Sequence, residues 1–179
     1  MARAKNHSSD FGLFSSRFIV KVPRQRPRRR KLSVVQKENA DRFKAATEYA
    51  NNCMEIPELK ELYERGITKR KNNAYTVACT DYLNPPTIHY IKVTDSGPSG
   101  STTITIKATD DFEVTSVRIT ITGADGQVME VGSAVCNRLK RQMWKYETKV
   151  VSKESKGTEI KATAGDHAEN ETEEVVVIE

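Results

Sequence analysis

From Thr87 onward apolar and polar residues alternate along the chain, whereas before it apolar residues recur every three or four positions. The alternation is plainest in Thr103-Ile-Thr-Ile-Lys-Ala108, where Ile104, Ile106 and Ala108 share one face and Thr103, Thr105 and Lys107 the other. A period of two places a half-buried strand, because successive side chains leave a pleated backbone on opposite sides. Val117, Ile119 and Ile121 repeat it, as do Trp144 and Tyr146. The pattern predicts strands over 88–93, 102–108, 114–122, 127–131, 142–150, 158–164 and 172–178. Turn chemistry separates them: Asp95-Ser-Gly-Pro-Ser-Gly100, Ala124-Asp-Gly126 and Lys156-Gly157. Seven short strands punctuated this way predict a two-sheet Greek-key sandwich.

The earlier half reads as short helices. Ser33-Val-Val-Gln36 has the form of a capping box, in which each side chain satisfies the other residue's backbone N–H. Gln36, Ala40, Phe43, Thr47, Ala50 and Met54 then step by threes and fours, giving one weakly apolar stripe to about Asn52. Pro57 restarts a helix, with Leu59, Leu62 and Tyr63 on one face and Gly66 at its C-terminal end. Tyr75, Ala78 and Tyr82 space a third, ended by Asn84-Pro85-Pro86. Faces this modest predict helices that must dock on the sandwich or on another subunit. The expected organisation is a basic extended arm over 1–32, a helical region over 33–83 and a sandwich over 84–179.

The stretch Ala108-Thr-Asp-Asp-Phe-Glu-Val-Thr-Ser-Val-Arg-Ile-Thr-Ile121, with Gly126, Glu130-Val-Gly132, Trp144-Lys-Tyr146 and Ile160-Lys-Ala-Thr-Ala-Gly-Asp166, resembles bacterial immunoglobulin-like modules. The likeness covers about the last ninety residues and implies a seven-stranded immunoglobulin-like sandwich serving as a non-catalytic scaffold. Such modules often close on an Asp-x-Ala-Gly-Asn turn; this chain has Asp166-His-Ala-Glu-Asn170, with Glu169 in the glycine's place.

Charge divides the chain as the periodicity does. The net +5 conceals 18 Lys and Arg against 8 Asp and Glu in residues 1–72, and an acidic excess after that. Lys21, Arg24, Arg26, Arg28, Arg29, Arg30 and Lys31 fall within eleven residues that also hold two prolines, so repulsion and proline both oppose a helix there. A second tract is Lys69-Arg70-Lys71. Basic runs of this kind bind phosphates or acidic protein surfaces. The favoured reading is therefore a non-enzymatic structural or interaction protein whose basic half docks a protein partner or further copies of itself. A nucleic-acid-associated or particle-forming subunit is the alternative.

Asp110, Asp111, Asp125, Asp166 and Asn170 stand at strand ends, where hard oxygen ligands can gather around calcium. Of these, Asp110, Asp111, Asp166 and Asn170 are the candidate metal residues. No contiguous calcium loop is present, so turn formation is the reading taken and no cofactor is expected. Cys53, Cys79 and Cys136 form no disulfide or zinc pattern, and His7, His89 and His167 are scattered. No nucleophile elbow, phosphate loop or zinc-protease motif occurs, which leaves a hydrolase or metal enzyme as the weakest reading. Arg3 and Lys5 precede Phe11-Gly-Leu-Phe14, but Ser15, Ser16 and Arg17 break that apolar run. Neither a signal peptide nor a membrane span is expected, and a reducing, cytoplasmic setting is. No small-molecule substrate is evident.

Overall fold

The computed structural model describes residues 33–96, 101–151 and 155–179. Three helices come first: α1 (Val34–Glu55), α2 (Pro57–Glu64) and α3 (Ala74–Leu83). The capping box at the start of α1 forms as expected. Gln36 N donates to the Ser33 hydroxyl at 3.2 Å, and Ser33 N donates to Gln36 Oε1 at 3.0 Å. Asn73, which the sequence pattern did not single out, caps α3 by accepting from Thr76 N at 2.7 Å.

The stripe on α1 differs from the one expected. Gln36, Ala40 and Phe43 are exposed, and burial begins only at Ala46, continuing through Ala50 and Cys53. The cause is the length of α3. It ends at Leu83, whose carbonyl accepts from Arg42 Nη2, and Cys79 Sγ contacts the carbonyl of Ala46. The end of α3 thus meets α1 at Arg42, and the residues of α1 before it are exposed. Small side chains at Ala46, Ala50, Ala74 and Ala78 occupy the helical core, beside Cys53, Tyr63, Val77 and Cys79.

Eight strands follow: β1 (Thr87–Ser96), β2 (Ser101–Thr109), β3 (Ser116–Thr122), β4 (Val128–Ser133), β5 (Val135–Cys136), β6 (Met143–Thr148), β7 (Glu159–Gly165) and β8 (Glu171–Val177). They form two four-stranded antiparallel sheets, ordered β1-β2-β6-β5 and β4-β3-β7-β8. Strands appear at all seven expected places, with ends shifted by a few residues; the eighth, β5, is two residues long. The described residues are thus mainly β with three helices, and Ser33–Glu179 form one compact unit.

Both sheets contribute to a single core. Ile104 and Ile106 pair across the ladder with Tyr146 and Trp144, while Ile119 and Ile121 pair with Ala162 and Ile160. Burying one such isoleucine stabilises the fold by about 1.5–3 kcal/mol. On β1 a bulge at His89 shifts the register by one residue, so that Ile88 and then Ile91 and Val93 face inward. At the opposite margin, Glu130 on β4 accepts from the hydroxyls of Tyr146 and Thr148 on β6, which joins the two sheets. That carboxylate and the burial of the ring push the Tyr146 phenol up to about 12, burial being the larger cause. Cys53 and Cys79 are buried free thiols, and Cys136 is a half-buried one. Among the described residues no helix is long and apolar enough to cross a membrane.

Candidate functional site

One end of the two-sheet body lies against the helices, and the contact there is polar. Asn170 Nδ2 reaches the carbonyls of Asp81 and Tyr82 at 3.0 and 3.3 Å, which are two of the acceptors that the end of α3 leaves unpaired. The Tyr49 hydroxyl donates to the His167 carbonyl at 3.2 Å. Lys71 Nζ donates to the Asp111 carbonyl at 2.9 Å, and Asn84 Nδ2 to Asp111 Oδ2 at 2.7 Å. Phe112 is the apolar exception. It leaves the β2–β3 connection to pack into the helical core, its ring centroid 5.2 Å from that of Tyr63. Gly66 makes room for it, since a Cβ there would stand 2.7 Å from the Phe112 ring.

Within this seam lie three carboxylates, Asp81, Asp110 and Asp166, each offering an oxygen within 4.8 Å of the other two. They come from separate elements. Asp81 is on α3, Asp110 follows β2, and Asp166 follows β7. Asp81 is fully buried and Asp166 nearly so. Their hydrogen bonds fix each group from one side. The Tyr63 hydroxyl donates to Asp81 Oδ2 at 2.8 Å, and Phe112 N donates to Asp110 Oδ2 at 2.7 Å. Asn170 donates through N to Asp166 Oδ1 and through Nδ2 to Asp166 Oδ2, both at 2.8 Å. Asp81 Oδ1 and Asp110 Oδ1 are buried without a hydrogen-bond partner.

Two buried acids and a half-buried one facing one another cannot all be charged cheaply. Burial, foremost, and then the charges of Asp166 and Asp110, push the Asp81 carboxyl from the ordinary 3.8 up to about 7, against the lowering pull of the Tyr63 hydroxyl. Burial likewise pushes Asp166 up, against the Asn170 bonds that favour its charged form. Tyr63 and Tyr49 are driven upward chiefly by burial, so they remain neutral donors.

The structure therefore brings together two of the four residues expected as metal ligands, Asp110 and Asp166. Asn170 sits behind them as the group that holds Asp166. Asp111 turns away to Asn84 and Lys71, with Lys71 Nζ 3.6 Å from its Oδ2. Asp125 is exposed in the β3–β4 turn, where it accepts from Gln127 N. The third member, Asp81, was not anticipated. Its signal was a lone acid within Ala74-Tyr-Thr-Val-Ala-Cys-Thr-Asp-Tyr-Leu83, an otherwise apolar helical stretch. Of the basic residues, Lys69 and Arg70 are exposed between α2 and α3, and Lys71 is tied to Asp111. Lys21, Arg24, Arg26, Arg28, Arg29, Arg30 and Lys31 lie outside the described residues.

A groove of about 1000 Å³ opens beside the seam, bordered by Gly66, Asp110, Phe112, Arg138 and Arg141. Asp110 is the carboxylate that borders both the groove and the cluster.

The turn holding Asp166 carries its own strain. Glu169 has φ of 62°, a left-handed conformation in which a Cβ meets the backbone, and glycine does not pay that cost. Glu169→Gly is expected to raise stability by about 0.5–1 kcal/mol, read as a higher thermal midpoint, and Glu169→Val to lower it.

Compared with known proteins, the chain matches no family model and no curated protein.

Proposed function

We propose that this chain is a non-enzymatic structural or interaction protein that assembles with further copies of itself, built on an immunoglobulin-like scaffold. The strand orders β1-β2-β6-β5 and β4-β3-β7-β8 support the scaffold reading, since four strands against four in these orders fit an immunoglobulin-like sandwich carrying one extra edge strand. Three free thiols support a reducing setting.

The observation that carries the assembly reading is the β4 margin. Outer strands of sheets present unpaired backbone groups, and stable monomers blunt them with charge, proline or brevity. Here β5 is only two residues long, β1 carries Lys92, and β8 carries Glu171, Glu173 and Glu174. By contrast β4 reads Val-Met-Glu-Val-Gly-Ser, and its one charge, Glu130, is used by Tyr146 and Thr148. Val128, Met129 and Val131 are exposed along it, with Val135 and Leu139 close behind in sequence. An unblunted edge of this kind takes another strand. The basic first part and acidic second part of the chain add attraction between copies.

Light scattering at micromolar concentration tests this. At about 0.01 M salt the mass is expected to exceed the 20.1 kDa of one chain, and to fall at about 1 M as charge attraction is screened. Val131→Lys is expected to return it to one chain with the fold retained. A parent protein that is monomeric at low salt sinks the proposal.

Exposed Lys69 and Arg70, together with the Lys21–Lys31 run, favour a second reading in which phosphates of nucleic acid are the partner. Salt-sensitive binding of generic RNA that weakens in Lys69→Glu/Arg70→Glu is its signature.

A further inference from the structure

We propose that Asp81, Asp110 and Asp166 bind one hard divalent cation, for which calcium is the probe, and that it clamps the helices onto the end of the two-sheet body. The starting point is what the hydrogen bonds leave over. Asp81 and Asp110 are each held by one oxygen, through Tyr63 and Phe112 N, while the other oxygen of each is buried and unpartnered. A buried acceptor with no donor is costly, and more so when it is charged. Asp81 has no exposed surface through which water can relieve that cost. Asp81 and Asp110 hydrogen-bond to each other only when one of them holds a proton, and a cation takes the place of that proton.

No described ion pair compensates the three groups. The seam's one lysine, Lys71, is engaged by Asp111, and His167 lies 3.4 Å from Glu113. A bound cation supplies the missing positive charge and uses the orphaned oxygens together.

Three carboxylate oxygens within 4.8 Å of one another are near enough to be drawn onto one hard cation, and oxygen ligands alone favour a hard divalent ion over a softer metal. Asp110 borders the groove and so gives the ion a route from solvent, along which waters complete its shell. Asn170 behind Asp166, and Tyr63 behind Asp81, fix the ligand rotamers as outer partners commonly do around a metal. Because one ligand belongs to α3 and two to the sheet connections, binding joins the two parts rather than stabilising either alone.

The test uses the full chain, freed of metal by chelator and titrated with calcium chloride, and separately with terbium chloride. Terbium bound here is excited through Tyr63, so its emission should rise to saturation at one ion per chain and fall when calcium is added. At roughly a hundredfold excess over the dissociation constant, calcium should raise the thermal midpoint by about 5–10 °C. Asp110→Asn keeps an acceptor for Phe112 N and should weaken both effects about tenfold or more, whereas Asp111→Asn should leave them unchanged. A midpoint and terbium emission that do not respond up to about 10 mM of either ion overturn the proposal, with the carboxylates then neutralised by shared protons. Binding in Asp110→Asn as tight as in the parent overturns it equally. Should that variant not fold, the titration of the parent chain alone decides.

Discussion

In the presence of chelator, raising the pH from about 4 to about 7 lowers the thermal midpoint, and Asp81→Asn removes most of that fall. The folded chain keeps a proton on Asp81 that the unfolded chain releases near 3.8 and the folded one only near 7. Stability is therefore greatest below about 4, declines through that window, and is fully reduced above about 7. Each tenfold change in proton affinity is worth about 1.4 kcal/mol. The shift from 3.8 to about 7 sets an upper bound of about 4 kcal/mol on this contribution, or about 8–16 °C. The groups facing Asp81 are Tyr63 on α2, Asp110 after β2, and Asp166 with Asn170 in the β7–β8 turn, while Tyr49 on α1 acts through Tyr63. None carries positive charge, so none reverses the sign. Glu173 works in the opposite direction, since the Lys161 ammonium holds it below its ordinary value, but it is exposed. Differential scanning calorimetry across the pH range checks the slope. A variant as pH-sensitive as the parent would place the buried charge elsewhere.

Tyr63→Ala should uncouple the helices from the sheets. The side chain is fully buried at the centre of the helical core, against Tyr49 and Phe112, and its hydroxyl is the donor to Asp81. Removing a buried aromatic ring costs about 3–5 kcal/mol, and here a buried carboxylate loses its donor as well. The sheets have a separate core, and the chain's single tryptophan, Trp144, belongs to it. Circular dichroism should therefore report helix loss at a temperature where Trp144 fluorescence is still native. Coincident transitions in the variant would mean that the two cores fold as one unit.

The strands were legible because their cores are regular. Ile104, Ile106, Val117, Ile119 and Ile121 alternate without interruption, and a buried face leaves no other register. What escaped was whatever lacks a period. Val135–Cys136 is too short to show one, and the bulge at His89 breaks it. On α1 spacing alone misleads, since Phe43 fits the helical stripe but is exposed. The site was half visible. Asp110 and Asp166 stand at strand ends where turn chemistry draws the eye, but Asp81 becomes a partner only once α3 is laid across those turns. That contact depends on Asn170 and Phe112, residues about ninety and thirty positions further along the chain, and local pattern carries no information at such separations.

The polar seam also bears on how the sequence can change. Two cores joined mostly by hydrogen bonds and carboxylates exchange little packing information, so substitutions at Val77 and at Ile106 should add without mutual correction. Either core can drift while the other stays fixed. The angle between them, by contrast, is set by a handful of side chains around Asp81, Asp111 and Asn170, and a few changes there would re-aim the helices with Phe112 the main apolar contact to repack. The molecule thus separates what makes it stable from what orients it.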